Sequence, residues 1–431
     1  MTVAHRSAPP RSLNGQDVKT LTLAALGGAL EFYDFVIFVF FTVVLGRLFF
    51  PPDMPEWLGQ IQTFGIFAAG YLFRPLGGLV MGHFGDRFGR KRMFSLSVGL
   101  MAVPTLLIGL MPTYQTLGYG APLLLLLMRI FQGIAIGGEV PGAWAFVSEH
   151  VPPNRVGLAC SLLETGLTAG ILLGSMVAVL INSHLSPAEV QDYGWRLPFL
   201  LGGLFGLVIL YLRRWLQETP VFEEIRKRRE LSTMPLRDVF HHYRTEAIVS
   251  IVSAWMLTAC LVVVCLMTPT LLVKLFQIPL VEALRANTAA NIALCVSVVI
   301  AGVAYDRFGP KPVVIVGAPL LILSLYALYA GVGSAPHLLL PLYTAAGFFA
   351  GVVGIVPIVM VQLFPAHVRF TGISLCYNLT YAVVGGVTPL ILPALSGVSP
   401  LVPAHYVAIA CVVGSAAILS VTRRHLLQPA L

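Results

Sequence analysis

The side chains best placed to do chemistry are six charged residues that interrupt long apolar stretches in the first half of the chain. They are Glu31, Asp34, Arg74, Arg129, Glu139 and Glu164. A charge inside such a stretch is costly in lipid and usually faces a cavity, a partner or an ion path. The apolar stretches after Glu246 contain no acid or base well inside them. The pattern predicts proton exchange in the first half and recognition by neutral groups in the second.

Glu31 and Asp34 lie three residues apart, so they share one face of the first predicted helix. Counting ~1.5 Å per residue puts Asp34 ~20 Å into a ~30 Å apolar layer and Arg129 ~13 Å in from the opposite side. The two are therefore expected at similar depth. Burial favours the neutral form of a carboxyl group, and a nearby guanidinium favours the anion. Movement of the first predicted helix (21–47) relative to the fourth (120–147) would therefore switch the acid between its two forms. This predicts a proton carrier.

Two other interpretations of these acids stay open. Asp34 and Arg129 could form a permanent ion pair that only fixes the helices to one another. Alternatively, Glu31 could carry the proton, with Asp34 as the fixed partner of Arg129. The sequence does not separate the two acids.

Helix 4 carries a polar stripe, because Arg129, Gln132 and Glu139 fall within an arc of about 80° at 100° per residue. Gln132 could donate a hydrogen bond to a substrate. Glu139 and Glu164 are candidate relay or second titrating groups. Arg74 could bind a substrate carboxylate, or it could pack against Glu139 or Glu149.

Neutral side chains are the other candidate substrate ligands. They are Tyr33 in the first half and Trp255, Asn291, Tyr377, Asn378 and Tyr381 in the second. Tyr377 and Tyr381 are one helical turn apart and could present their hydroxyls to one cavity. Hydrogen bonding between helices is the alternative role for each of them.

A charged turn occurs twice, as GHFGDRFGRKR at 82–92 and as GVAYDRFGPKP at 302–312. Each copy lies between two apolar runs, which indicates a duplicated membrane unit. An acid in a basic turn needs a partner, so we expect a gate that pairs with neighbouring helix ends; the alternative is that the basic residues only set orientation. The gate residues are Gly82, Asp86, Arg87, Gly89, Arg90, Asp306, Arg307 and Gly309.

The composition is that of a membrane protein, with 57% hydrophobic residues, 11% charged residues and a mean hydropathy of +0.85. The net charge of +8 comes from short loops between apolar runs, so nucleic-acid binding is not expected. The six cysteines lack metal-site spacing, and neither a metal nor a cofactor is expected. Twelve apolar runs predict an all-α protein with twelve transmembrane helices in two pseudo-symmetric six-helix bundles. They lie near 21–47, 58–81, 94–111, 120–147, 158–182, 196–213, 247–273, 286–304, 313–333, 338–361, 372–394 and 402–421.

The basic residues predict the orientation. Of the 27 Lys and Arg residues, 21 lie in the tails and even-numbered connections, which we therefore assign to the cytoplasm together with both termini. The predicted segments are an N-terminal tail (1–20), a first bundle (21–215), a cytoplasmic linker (216–246), a second bundle (247–422) and a C-terminal tail (423–431).

The turn at 82–92 and RIFQG at 129–133 resemble signatures of the major facilitator superfamily. Further segments resemble its metabolite:proton symporter branch: FYDF (32–35), RPLGG (74–78), GGE (137–139), GWRLPF (194–199), ETPVF (218–222), LFPAHVRFTGISLCYN (363–378) and GGVTP (385–389). The resemblance implies import of small polar metabolites, such as citrate, 2-oxoglutarate, shikimate or betaines, together with a proton. The acid and arginine of helices 1 and 4 are similar to a pair associated with proton coupling in the sugar-porter branch. The chain departs from the branch pattern at Phe32, Val140, Glu164, Pro310, Gln362 and His367.

The sequence thus predicts a proton-coupled symporter for a small polar metabolite, foremost an organic carboxylate because Arg129 offers a cation. A zwitterion such as a betaine is the first alternative, since Trp255 and the tyrosines offer cation–π faces. Efflux by proton antiport is the second. No nucleophile–base set points to an enzyme, and no sizeable soluble domain points to a sensor. We expect a monomer in the cytoplasmic (inner) membrane whose partners are the bilayer, the substrate and protons.

Overall fold

The computed structural model describes residues 12–228 and 232–421. Within them the chain forms twelve helices of at least 18 residues, and by length and composition all but the second qualify as membrane spans. We number them α1 (Gly15–Phe40), α2 (Glu56–Phe88), α3 (Arg90–Leu110), α4 (Gly120–His150), α5 (Val156–His184), α6 (Arg196–Arg213), α7 (Arg244–Phe276), α8 (Leu280–Phe308), α9 (Pro310–Ser334), α10 (Pro336–Leu363), α11 (Arg369–Leu395) and α12 (Val402–Val421).

The first helix begins earlier than hydropathy predicts, at Gly15 instead of residue 21. The Asn14 side chain accepts a hydrogen bond from the Asp17 N–H at 2.8 Å, and Asp17 accepts one from the Asn14 N–H at 2.9 Å. Such a capping box starts a helix with polar residues that a hydropathy scan ignores. The predicted linker 216–246 is likewise shortened, because α7 begins at Arg244. Most of the N-terminal tail 1–20 and all of the C-terminal tail 423–431 lie outside the described residues.

Both duplicated turns end a helix at a glycine with positive φ. The φ angle is +116° at Gly89, after α2, and +78° at Gly309, after α8. Only glycine adopts this backbone region without steric cost, which explains why the glycine occurs in both copies. Two short helices, Pro220–Arg228 and Pro235–His242, follow α6 in the connection to α7.

Helices α1–α6 pack into one bundle and α7–α12 into the other. Small residues bring the helix backbones together: a Cβ added at Gly133 of α4 would lie 2.1 Å from the Gly70 carbonyl oxygen of α2. A Cβ at Gly170 of α5 would lie 2.1 Å from the Ala29 carbonyl oxygen of α1. The bundles meet where α2 and α4 contact α11 and where α5 contacts α8.

The outer surface is apolar and the deep charges are inside. Leu72, Leu123 and Leu323 are 66–70% exposed, as expected of side chains that face lipid. The six charged residues singled out from the sequence are all at most 7% exposed. None of them is therefore directed at hydrocarbon.

Helix α11 is irregular near its middle. A π-helical segment runs from Tyr381 to Gly385, upstream of Pro389, where the sequence predicts a kink. A second π-helical segment, Val262–Met267, interrupts α7. Such segments often occur at functional sites, because the wider turn displaces side chains from regular helical register.

Candidate functional site

Asp34 and Arg129 are in contact, within a network that belongs entirely to the first bundle. Arg129 Nη1 lies 3.0 Å from Asp34 Oδ2 and donates to Gln132 Oε1 at 2.8 Å. Asp34 Oδ1 accepts from the Thr105 hydroxyl at 2.8 Å and from Gln132 Nε2 at 2.9 Å. These residues come from α1, α3 and α4, and the carboxylate is fully buried. Arg129 is therefore occupied by a residue of its own bundle.

Two expected substrate ligands are also used inside the first bundle. Gln132 bridges Asp34 and Arg129, as described above. The Tyr33 hydroxyl donates to the Pro198 carbonyl oxygen of α6 at 2.8 Å. Both side chains are therefore engaged in hydrogen bonds within the first bundle in this conformation.

Glu139 pairs with Arg213 and not with Arg74. The two N–H groups of Arg213 meet the two carboxylate oxygens of Glu139 at 2.5 and 3.0 Å. Ser97 also donates to Glu139, and the Arg213 guanidinium lies over the Phe94 ring at 3.6 Å. Such a bidentate, buried pair ties α3, α4 and α6 together. Sequence reasoning did not single out Arg213, which ends the apolar run 196–213.

Arg74 lies at the boundary between the bundles. Its Nη2 atom is 3.9 Å from Glu31 Oε1 of α1, and its Nε donates to Asn378 Oδ1 of α11 at 3.4 Å. Asn378 Nδ2 in turn donates to the Gly137 carbonyl oxygen of α4 at 2.7 Å. One guanidinium therefore contacts an acid of the first bundle and an amide of the second.

Three tyrosine rings surround this guanidinium. The Arg74 Cζ lies 5.4 Å from the ring centroid of Tyr71, 5.7 Å from that of Tyr377 and 4.8 Å from that of Tyr381. Glu164 of α5 lies within electrostatic reach of Glu31 and of the α11 tyrosines. We call these six residues, Glu31, Tyr71, Arg74, Glu164, Tyr377 and Tyr381, the Arg74 cluster.

The Arg74 cluster contains charged atoms that its neighbours leave unsatisfied. Within the part of the chain that the structure describes, Glu31 Oε2, Glu164 Oε2 and Arg74 Nη2 are buried without a hydrogen-bond partner. Buried charges are costly unless a partner, a proton or a ligand compensates them. Asp34, by contrast, receives hydrogen bonds on both oxygens. The Arg74 cluster is therefore the best candidate for binding a charged ligand.

The remaining neutral candidates lie in the second bundle. The Trp255 indole N–H donates to the Tyr406 hydroxyl at 3.3 Å, which links α7 to α12. Asn291 of α8 is buried, and its Oδ1 has no hydrogen-bond partner among the described residues. Thr258 Oγ1 is in the same situation, and its methyl group lies beside α11 near Tyr381. Asn291 and Thr258 are thus still available to a ligand, whereas Trp255 is engaged.

The first duplicated turn closes the bundles against each other. Asp86 accepts hydrogen bonds from the backbone N–H groups of Phe370 at 3.3 Å and Thr371 at 2.9 Å, in the first turn of α11. A carboxylate at a helix N-terminus is favoured by the helix dipole and by the unpaired N–H groups. Gly82 permits this approach, because a Cβ there would lie 2.8 Å from Thr371 Cα. We call the side of the molecule that carries both turns and the linker helices the linker side.

The second turn makes the equivalent contact with α5. Asp306 accepts from the backbone N–H groups of Gly157 at 2.7 Å and Leu158 at 2.9 Å. Here too the backbones touch, since a Cβ at Gly302 would lie 2.5 Å from the Gly157 carbonyl oxygen. Arg87 and Arg307 are exposed and lie over the neighbouring rings of Phe88 and Phe308. They stand outside both contacts, as orientation-setting charges would.

A buried ionic cluster completes the seal, and sequence reasoning missed its pair between Glu149 and Arg369. Arg369 Nη1 of α11 lies 2.6 Å from Glu149 Oε1 of α4, and Thr219 Oγ1 donates to Glu149 Oε2 at 2.8 Å. Arg90 pairs with the same Glu149, with Asp86, and with the Ala366 carbonyl oxygen. The only sequence signal was position, since each of these charges sits at the end of a predicted helix on the linker side. The structure is therefore closed on the linker side.

The comparisons with known proteins agree with this architecture. Residues 35–389 match the sequence profile of the Major Facilitator Superfamily. A putative proline/betaine transporter of Staphylococcus aureus (strain COL) is 32% identical over 413 residues, covering 92% of this chain and 86% of the relative. A proline/betaine transporter of Escherichia coli (strain K12) is 31% identical, covering 93% of this chain and 82% of the relative.

Solved structures show the same fold at low sequence identity. The proton:xylose symporter XylE bound to 6-bromo-6-deoxy-D-glucose superposes with a TM-score of 0.78 at 18% identity, covering 95% of both chains. XylE from E. coli in a partially occluded inward-open conformation gives 0.64 at 17% identity, covering 95% of this chain and 99% of that one. The chain is a member of the major facilitator superfamily, an integral membrane transporter.

Proposed function

We propose that this transporter imports a small zwitterion of the betaine or proline type together with protons. The observation that carries the proposal is the composition of the Arg74 cluster. It combines one guanidinium, two carboxylates and three tyrosine rings, with unsatisfied charged atoms of both signs. Relatives that cover more than nine-tenths of the chain are named proline/betaine transporters, which supports the same substrate class.

A zwitterion replaces the organic carboxylate that the sequence favoured. The argument for an anion depended on Arg129, and that guanidinium is already held by Asp34 and Gln132. Arg74 can instead receive a single carboxylate, while Glu164 and the tyrosine faces attract an ammonium group. The two acids give the cluster a formal charge of minus one when ionised, which disfavours a purely anionic substrate.

Proton coupling is proposed because the first bundle holds buried carboxylates beside the boundary at which the bundles must separate. We place the linker side in the cytoplasm, because short loops rich in Lys and Arg are retained there, and the membrane is then the cytoplasmic membrane. The working unit is proposed to be the monomer, since the Arg74 cluster is assembled from a single chain.

Uptake into proteoliposomes tests this function. Radiolabelled glycine betaine and proline should accumulate when the exterior is acidic, and a protonophore should abolish the accumulation. Citrate and 2-oxoglutarate serve as the carboxylate controls. Accumulation of citrate without accumulation of either zwitterion would overturn the substrate assignment, and accumulation that survives the protonophore would overturn the coupling.

A further inference from the structure

The two acids of α1 lie one turn apart but have different relations to the moving parts of the molecule. Among the described residues, the Asp34 carboxylate bonds to Thr105, Arg129 and Gln132, all of which belong to its own bundle. Rocking of one bundle against the other, or entry of a ligand between them, leaves those partners in place. Asp34 is therefore badly placed to take up and release a proton during each cycle.

Glu31 has the opposite surroundings. Its one ion-pair partner in the described chain is Arg74, at 3.9 Å, and its second oxygen has no hydrogen bond. Arg74 itself lies against Tyr377, Tyr381 and Asn378 of the second bundle. Any change at the boundary between the bundles therefore changes the electrostatic surroundings of Glu31.

Arg74 is the one cation of the Arg74 cluster, so the carboxylate of Glu31 and the carboxylate of a bound substrate must compete for it. A substrate carboxylate can form two parallel hydrogen bonds with a guanidinium, and such bonds are among the strongest in proteins. Nη2, the atom nearest Glu31, has no hydrogen bond of its own and is the donor over which the two carboxylates compete.

We propose that Glu31 binds the coupled proton and that it does so because the substrate carboxylate displaces it from Arg74. This inference rests on the proposed function. When the substrate takes Arg74, an ionised Glu31 is left buried without a counterion, and it becomes neutral by accepting one proton on a carboxylate oxygen. The substrate carboxylate replaces the Glu31 carboxylate as the partner of Arg74, and no other bond forms or breaks.

The exchange accounts for both halves of a transport cycle. Loaded protein carries one zwitterion and one proton, so each import event moves one positive charge. After release of both, Glu31 returns to Arg74, and the Glu31 charge is compensated without a proton. Transport of the substrate without a proton is disfavoured, because Glu31 would then remain a buried, unpaired anion.

Proton uptake during binding tests the proposal directly. Purified full-length protein in detergent is titrated with glycine betaine in buffers of different ionisation enthalpy, and the protons bound are calculated from the heats. Above the pH at which free Glu31 protonates, wild type should take up about one proton per betaine, and its Kd should rise ~10-fold per pH unit by linkage. Failure of wild type to bind betaine or proline at all would refute the proposed function, whereas binding without proton uptake would refute only this inference.

Two variants test which acid binds the coupled proton. Glu31→Gln should bind betaine without proton uptake and with a Kd independent of pH. Asp34→Asn, the same change one turn away, should still take up a proton on binding. Proton-linked binding that persists in Glu31→Gln, or is lost in Asp34→Asn, overturns the proposal.

Two ligands test the same proposal in the wild-type protein, so the result does not depend on whether a variant folds. Choline keeps the quaternary ammonium of glycine betaine but has a hydroxyl in place of the carboxylate, so it should leave Glu31 on Arg74. Its binding should show no proton uptake. Equal proton uptake for choline and betaine would show that the substrate carboxylate does not trigger protonation.

Discussion

Glu149 of α4 and Arg369 of α11 form a buried ion pair across the two bundles, with 2.6 Å between Oε1 and Nη1. The same carboxylate also pairs with Arg90 and accepts a hydrogen bond from Thr219. A single acid therefore compensates two buried arginines only while the linker side is closed. Opening this side must break the pair, so the pair contributes to the energy gap between the two conformations.

Glu149→Gln should shift the protein towards the conformation that is open on the linker side. The change leaves Arg369 without its carboxylate, while Arg90 keeps Asp86, and loss of one partner of a buried pair costs ~3–5 kcal/mol. Uptake should fall at least ~10-fold, since ~1.4 kcal/mol already changes a population ratio tenfold. Distances between spin labels on the linker ends of α4 and α11 measure the shift.

The control for this experiment is Arg87→Gln, a charge removal in the same region at an exposed side chain. It should leave both the label distances and the uptake rate close to wild type. Unchanged distances in Glu149→Gln would contradict the role of the ion pair in closure.

Gly302→Ala should prevent the second turn from closing. The new Cβ would lie 2.4 Å from Ser161 Oγ and 2.5 Å from the Gly157 carbonyl oxygen, so α8 and α5 cannot keep their present separation. Overpacking of ~1–3 kcal/mol reduces the closed population roughly five- to hundredfold. A cysteine placed at Ser161 should react faster with a membrane-impermeant thiol reagent applied from the linker side.

Gly386→Ala is the matched control, because nothing lies within 4 Å of a Cβ at that position. It should label and transport like its parent. If Gly302→Ala labels no faster than this control, close contact between α5 and α8 is not what seals the linker side.

Glu139→Gln should cost stability and leave proton coupling intact. The carboxylate is held by Arg213 and Ser97 within the first bundle, so its loss leaves a buried guanidinium uncompensated at ~3–5 kcal/mol. The melting temperature in detergent should fall, while betaine binding to the surviving protein still takes up about one proton. Loss of that proton uptake would restore Glu139 as a relay group.

Tyr381 should act through its ring and not through its hydroxyl. The ring centroid lies 4.8 Å from the Arg74 guanidinium, so the ring helps to hold in place the group proposed to bind the substrate carboxylate. A cation–π contact in a desolvated site is worth ~2 kcal/mol, about 30-fold in an equilibrium constant, which is the upper limit of the loss expected here. Tyr381→Ala should therefore weaken betaine binding by up to that factor, and Tyr381→Phe by less than about threefold. Titration calorimetry compares the two, and equal losses would point to the hydroxyl instead.

Much of the fold followed from features that the sequence displays locally. Apolar run length predicted the helices, and the glycine-containing turn identified the two contacts that seal the linker side. Counting residues along each helix put Asp34 and Arg129 at one depth, and the structure has them 3.0 Å apart. Depth along a helix can be counted because the rise per residue is fixed.

The other pairings depended on helix rotation and on partners far apart in the chain. Glu139 and Arg213 meet because α4 and α6 both turn towards α3, and a single sequence contains no information on that angle. Glu149 and Arg369 come from different bundles, so only docking of the two halves reveals the pair. Glu31 and Arg74 belong to one bundle, and their pairing was hidden because each had more than one oppositely charged residue at comparable depth.

Asn378 of the second bundle contacts the first bundle at two points, since its Oδ1 accepts from Arg74 of α2 and its Nδ2 donates to the Gly137 carbonyl oxygen of α4. Separation of α11 from α4 on the linker side withdraws that amide, and Arg74 loses a neighbour that helps to orient it. Solute should consequently dissociate more readily on the linker side, which we propose faces the cell interior, than on the opposite side. Half-saturation measured from the two faces of the membrane would then be unequal, and unloading would be favoured where the solute is already concentrated.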